Sequence, residues 1–247
     1  MKRMHLKKYK RKKNKVINKI ILIVILLSIS ILYVFKIFNS KALPQLIEYS
    51  EIETTKIVSS VISNTVVEEI SNNINMESLF ITTKDSSGNI KSIDFNSSEV
   101  NKILSKASKT VEQNLKYLSS GNVDKLNLDN YVSNYDEEKF KKGIIYELPS
   151  GIIFNNIILN NLFPKIPIKM DLIGSVFSKL SVDIKDYGIN NALIKVNINI
   201  ESEVKILLPF VSSVKKINVD VPVIMKVIEC NVPSYYFDGY LDTIVNE

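Results

Sequence analysis

"ALIKVNINIESEVKILLPF", Ala192 to Phe210, carries the plainest pattern in the chain. In an extended chain Ile194, Val196, Ile198, Ile200, Val204 and Ile206 fall on one side, and Lys195, Asn197, Asn199, Glu201, Glu203 and Lys205 on the other. Successive side chains of a strand point to opposite faces, so this period of two predicts one long strand, roughly 50 Å at about 3.3 Å per residue, with one buried and one wet face. Strands of a parallel α/β sheet are apolar on both faces. Alternation this regular therefore predicts an antiparallel sheet covered on one side.

The flanking segments repeat the scheme. After Pro209 and a turn at Ser212-Ser213, "KINVDVPVIMKVIE" reads as the return strand, with Ile217, Val219, Val221, Val223, Met225 and Val227 expected inward. Upstream, "SKLSVDIKDY" alternates Leu180, Val182 and Ile184 with polar residues before "GINN" interrupts. Further upstream, "PKIPIKMDLIG" (Pro164 to Gly174) sets Ile166, Ile168, Met170 and Leu172 against Pro167, Lys169 and Asp171. Pro167 has no N–H for a ladder, so this strand is an edge or begins there.

Helical periods precede the strands. Val58, Val61, Ile62, Thr65, Val66 and Ile70 recur at steps of three and four, in a stretch from Leu46 to about Asn72 without Gly or Pro, with Pro44 placed to start a helix. "LFITTKDSSGNIKSIDF", Leu79 to Phe95, reads as a hairpin. Asn96 with Glu99 forms a capping pair for a second helix, whose apolar face is Val100, Ile103, Leu104, Ala107, Val111, Leu115 and Leu118, with Gly121 as its stop. Residues 119–142 are polar and without period, and read as a linker or loop; Tyr131 and Tyr135 there are either a partner patch or local packing.

The N-terminus is of another kind. Ten of the 32 basic residues lie in the first nineteen positions, with no acid among them, followed by "IILIVILLSISILYVF", Ile20 to Phe35. With Val16, Ile17, Ile37 and Phe38 the apolar stretch is long enough for a hydrocarbon core of about 30 Å, Lys19 and Lys36 reaching the headgroups with their stems. The charge asymmetry predicts the arm in the cytoplasm and the rest outside it. A cleaved signal peptide, cut near Ser40 and Ala42, is the competing reading. The arm is read as topogenic charge with a possible anionic-lipid contact, and not as a nucleic-acid module. Setting aside those ten residues, Lys36 and Lys41, 20 basic residues face all 26 acidic ones, so the body from Ala42 onward has a net charge of −6.

The fold class expected is thus α+β: an N-terminal transmembrane helix, then an extracytoplasmic domain of two long helices packed on a mainly antiparallel sheet. The expected parts are a basic arm (1–19), an anchor (20–38), a helix-hairpin-helix part (43–118), the loop (119–142), a β part (143–230) and a tail (231–247).

Little in the chain could perform chemistry. The one histidine, His5, lies in the arm, so the outer body lacks a base for a Ser-His or Cys-His pair. Cys230 is alone and has no internal disulfide partner; it reads as a small buried hydrophobe, with a cross-link to another chain as the alternative. Neither a zinc cluster nor a glycine-rich phosphate loop occurs, and no cofactor or metal is expected. Asp94, Asp171, Asp183, Asp186 and Glu201 leave open a carboxylate pair acting on glycosidic bonds, although acids alternating with apolar residues on strands usually form a wet face. "DYGINNALI" offers a candidate contact loop, Tyr187, Asn190 and Asn191, or simply a turn in which Gly188 supplies positive φ.

"NNLFPKIPIKMDLIGSVFSKLSVDIKDYGINNALIKVNINIESEVKILLPF" resembles the core of the YunB family of sporulation proteins, and "VPVIMKVIECNVPSYY" its closing segment. The basic arm, the single anchor and "SIDFNSSEVNKI" agree. Phe163 and Cys230 stand where the family usually has glycine, and "LPSG" stands in place of a Pro-Leu-Gly. The resemblance implies a membrane protein of the mother cell, needed for efficient spore formation, with no established enzymatic activity and no catalytic residues to assign. Its expected partners are the membrane and proteins of the spore envelope, with self-association through an exposed strand edge open. A module holding a lipid or another apolar ligand in a groove is the alternative function.

Overall fold

The computed structural model describes residues 3–73, 76–86, 88, 90–126, 136–151, 164–188 and 191–229. It is α+β, with a long apolar N-terminal helix and an antiparallel sheet. Two compact units divide the chain, Met1–Ile52 with Glu147–Ile166, and Glu53–Tyr146 with Pro167–Glu247.

In the first unit α1 runs from Arg3 to Ile37. Every large apolar side chain from Ile20 to Phe35 is more than half exposed, all round the helix. Pro44 falls in the first turn of the next helix, as expected. A π turn over Phe38–Ala42 joins α1 to α2 (Leu43–Asn73), the N–H of Leu43 donating to the carbonyl of Phe38. Pro44 has no N–H to give, and a wider turn just ahead of it is a known way of carrying a helix past such a gap. The stretch Ile17–Ile70 includes the one helical segment, among the described residues, long and apolar enough to cross a membrane.

In the second unit the hairpin pairs β1 (Phe80–Lys84) with β2 (Ile90–Phe95), and the rings of Phe80 and Phe95 stand 5.2 Å apart. Helix α3 (Ser97–Ser120) starts where Asn96 accepts from the N–H of Glu99 at 3.4 Å. The reciprocal half of the capping box is absent, because the Asn96 N–H donates to Leu79 and Glu99 pairs with Lys102. The helix ends in a Schellman motif: Gly121 has φ +74°, and Gly121 and Asn122 donate to Leu118 and Tyr117. Ala107, Val111, Leu115 and Leu118 of the expected apolar face are buried. Asn114 donates to Thr65 of α2 at 2.9 Å, and Lys106 pairs with Glu69. A short helix α4 (Glu137–Lys141) follows; Tyr131 and Tyr135 lie outside the described residues.

The sheet has the order β3-β4-β5-β6, from β3 (Ile144–Leu148), β4 (Ile166–Asp186), β5 (Asn191–Leu207) and β6 (Ser212–Glu229). Pro167 is the second residue of β4. The even-numbered residues of β5 from Ile194 to Ile206 are buried without exception, as the alternation requires. The two upstream segments read as separate strands are one strand, β4, interrupted by a bulge. Ile173 lies opposite Glu203 and Phe177 opposite Glu201, so β4 carries two residues more than β5 at this point. Gly174, at φ +69°, begins the arch.

A second irregularity overturns part of the reading of β6. Asn197 lies opposite Pro222 and Val196 opposite Ile224, so Val223 is one extra residue. An insertion of two leaves the faces in phase, whereas an insertion of one exchanges them. Ile217 and Val221 are buried as expected and Val223 packs at the edge of the core, but Met225 and Val227 point outward, with Met225 66% exposed. Lys226 takes the inward phase and lies over the Phe80 ring, 5.8 Å from its centroid.

Candidate functional site

Tyr187 stands exposed at the end of β4, and its N–H donates to the carbonyl of Asn191 at 2.9 Å. Asn191 is half-buried at the start of β5, opposite Glu229, and Asn190 lies outside the described residues. Gly188, at φ +74° with open space about it, turns the chain here.

The carboxylates singled out by the alternation are spread along the sheet and the hairpin. Asp94 accepts from Ser92 on the hairpin, and Asp183 pairs with Lys185. Glu201 accepts from Lys179 at 2.7 Å. Of that set Glu201 lines a cavity of about 490 Å³, opened on the sheet by the β4 bulge.

Opposed residues of an antiparallel pair share a face, which places the lining. One row across the sheet is Ile173, Glu203 and Lys216, and the next is Phe177, Glu201 and Asn218. All six line the cavity. Lys216 pairs with Glu203 at 3.3 Å, so each carboxylate has an ammonium beside it. Asn218 accepts from the Asn199 amide. Phe177 is 64% exposed, an aromatic ring in the polar phase of β4 between Asp171 and Lys179.

Helix α3 braces the bulge from the other face. Ser108 donates to the Ser178 hydroxyl at 2.7 Å, and Ser178 to the Leu104 carbonyl at 2.8 Å. The hydrogen bond from Lys116 holds the Glu112 carboxyl below its ordinary pKa; burial opposes this, while the Lys116 charge and the backbone N–H of Val176 assist it. The arch is thus tied to the helix at Ser178. Phe177 and Glu203 were not singled out from the sequence. The available signal was Ile173 and Phe177 falling on the wet phase of an otherwise regular strand.

Comparison with known proteins agrees with the resemblance. Residues 145–235 match the family model described as Sporulation protein YunB. The Sporulation protein YunB of Bacillus subtilis (strain 168) is 33% identical over 198 residues, covering 80% of this chain and 73% of that protein, and its name carries no enzymatic activity. No solved structure matches the chain. An identity of this size sustained over most of both chains, from the helical part through the bulged sheet, leads to one conclusion: the chain belongs to the YunB family of sporulation proteins.

Proposed function

We propose that the chain is a single-pass membrane protein with its basic arm in the cytoplasm, whose outer α+β domain serves spore formation by contact rather than catalysis. The membrane is that of the mother cell or one surrounding the forespore. The partners are proteins of the spore envelope or the envelope itself, and a second copy of the chain is a further contact in this reading. The observation that carries it is the helix of α1, apolar and exposed all round from Ile20 to Phe35, directly after ten basic residues. Apolar area of that extent is stable only against lipid or another protein, and the charge bias sets the direction of insertion.

In this reading α2 and α3 are the cover of the sheet, supported by the Asn114–Thr65 and Ser108–Ser178 hydrogen bonds. What favours contact over a lipid-holding groove is the space left between the helices and the sheet. Among the described residues the void lined by Ile70, Val100, Ile103, Leu180, Ile198 and Val223 is about 10 Å³, room for no more than about one water.

The test is protease treatment of intact protoplasts from sporulating cells carrying the full chain with a C-terminal tag, while a cytosolic marker is followed. Digestion of the tagged domain with the marker intact is expected; protection of the domain overturns the topology. A chain lacking residues 1–40 is expected to accumulate without supporting spores, and full rescue by it would refute the anchoring requirement.

A further inference from the structure

We propose that the cavity at the β4 bulge is a binding site for an uncharged oligosaccharide, with Phe177 as the platform for one sugar ring. The inference deepens the contact reading above, since it names an envelope component that the outer domain would touch.

Size comes first. A cavity of about 490 Å³ lies within the range of pockets that hold small ligands, about 300–1,000 Å³. Its wall is mixed: Ile173 and Phe177 give an apolar surface, and Glu201, Glu203, Lys216 and Asn218 give acceptors and donors. Charge then narrows the ligand. A phosphate or carboxylate entering here meets Glu201 and Glu203, and a cation competes with Lys179 and Lys216 already beside them. The two pairs sum to zero charge, so neither sign of ligand is attracted.

An uncharged polyol uses every group present. Its hydroxyls donate to the carboxylates and accept from the ammonium groups and the Asn218 amide, while the C–H face of a pyranose packs on an aromatic ring. The lysine side chains are 65% and 82% exposed, and ion pairs this exposed contribute little, so hydroxyls can insert between the partners at small cost. The geometry is also held in advance. Ser108 and the Leu104 carbonyl brace the arch at Ser178, so the ring of Phe177 is carried by a backbone fixed at the residue beside it. Preorganisation of this kind reduces the ordering cost of binding.

The experiment uses the full chain in a phosphocholine detergent, which carries no sugar headgroup. Chitotriose and cellotriose are the probes, a hyaluronan tetrasaccharide is the anionic comparison, and binding is followed by saturation-transfer NMR and calorimetry. Saturable binding of at least one neutral trisaccharide is expected, with hyaluronan weaker. Phe177→Ala and Glu203→Gln are expected to weaken it by about tenfold, the scale of one aromatic or charge-assisted contact. Both side chains are on the open face, so the circular dichroism spectrum and unfolding midpoint should stay as in the parent; Met225→Ala, on the same face outside the cavity, should bind as the parent does.

Absence of saturable binding by the folded parent chain, equal affinity in Phe177→Ala, or tighter binding of hyaluronan overturns the proposal. None of these results touches the protease and rescue tests, so failure of the sugar site and failure of the contact reading are read separately.

Discussion

The Ser108 hydroxyl of α3 reaches the Ser178 hydroxyl of β4 across 2.7 Å, joining helix and sheet immediately beside the bulge. Ser178 in turn donates to the Leu104 carbonyl, so one side chain fixes two points of the helix. Ser178→Ala is expected to lower stability by about 1–2 kcal/mol, one to two net hydrogen bonds in a partly buried setting. Urea unfolding followed by circular dichroism measures it. A loss under 0.3 kcal/mol would mean the serine pair is incidental to docking.

Gly121 and Gly188 share a left-handed φ of +74° but differ in surroundings. A Cβ on Gly121 would stand 2.5 Å from the Lys141 carbonyl oxygen and 2.8 Å from that of Phe140, whereas one on Gly188 would meet nothing within 4 Å. Gly188→Ala is expected to cost about 1 kcal/mol, the conformational term alone, and Gly121→Ala more than about 2 kcal/mol, because main chain must also move. Equal unfolding midpoints for the two variants would contradict the packing of α4 against the end of α3.

Glu112 gives a pH dependence whose direction is fixed. Its carboxyl has a lowered pKa, chiefly through the Lys116 hydrogen bond, so the folded state favours the ionised form. The stabilisation is present above the ordinary value of 4.5 and is lost as pH falls through the lowered pKa. Glu112→Gln should cost about 0.3–0.5 kcal/mol at neutral pH, as for an acid placed four residues before a lysine on a helix. Parent and variant should converge in acid. A gap that persists unchanged well below pH 4.5, in melts compared across pH, would show that the carboxylate charge is not the source.

The single extra residue at Val223 is tested on both sides of it. Val221, ahead of the shift, is 3% exposed, and Met225, behind it, is 66% exposed. Val221→Ala is expected to cost about 1.5–3 kcal/mol through lost burial and the space left behind. Met225→Lys should change stability by less than about 0.5 kcal/mol, as for a surface position. If Met225→Lys is the more damaging of the two, the strand keeps its phase past Pro222.

The features legible in the residues alone are periodic. The even positions of β5, the apolar face of α3 from Ala107 to Leu118, the hairpin and the N-terminal apolar run follow from spacing, since each records how a regular element meets water or lipid. Asn96 and Gly121 marked the ends of α3 because caps are local chemistry. The two bulges arise from contacts between elements and were not legible in the chain. Whether β4 takes in two residues opposite Ser202, or β6 one opposite Asn197, depends on the partner strand and on the helix behind it. An alternating pattern is blind to the first, because an insertion of two restores the phase, and is misled by the second, because an insertion of one reverses it. The cavity, with Phe177 and Glu203 brought beside Glu201, is a product of the first bulge, and it exists only where two strands part.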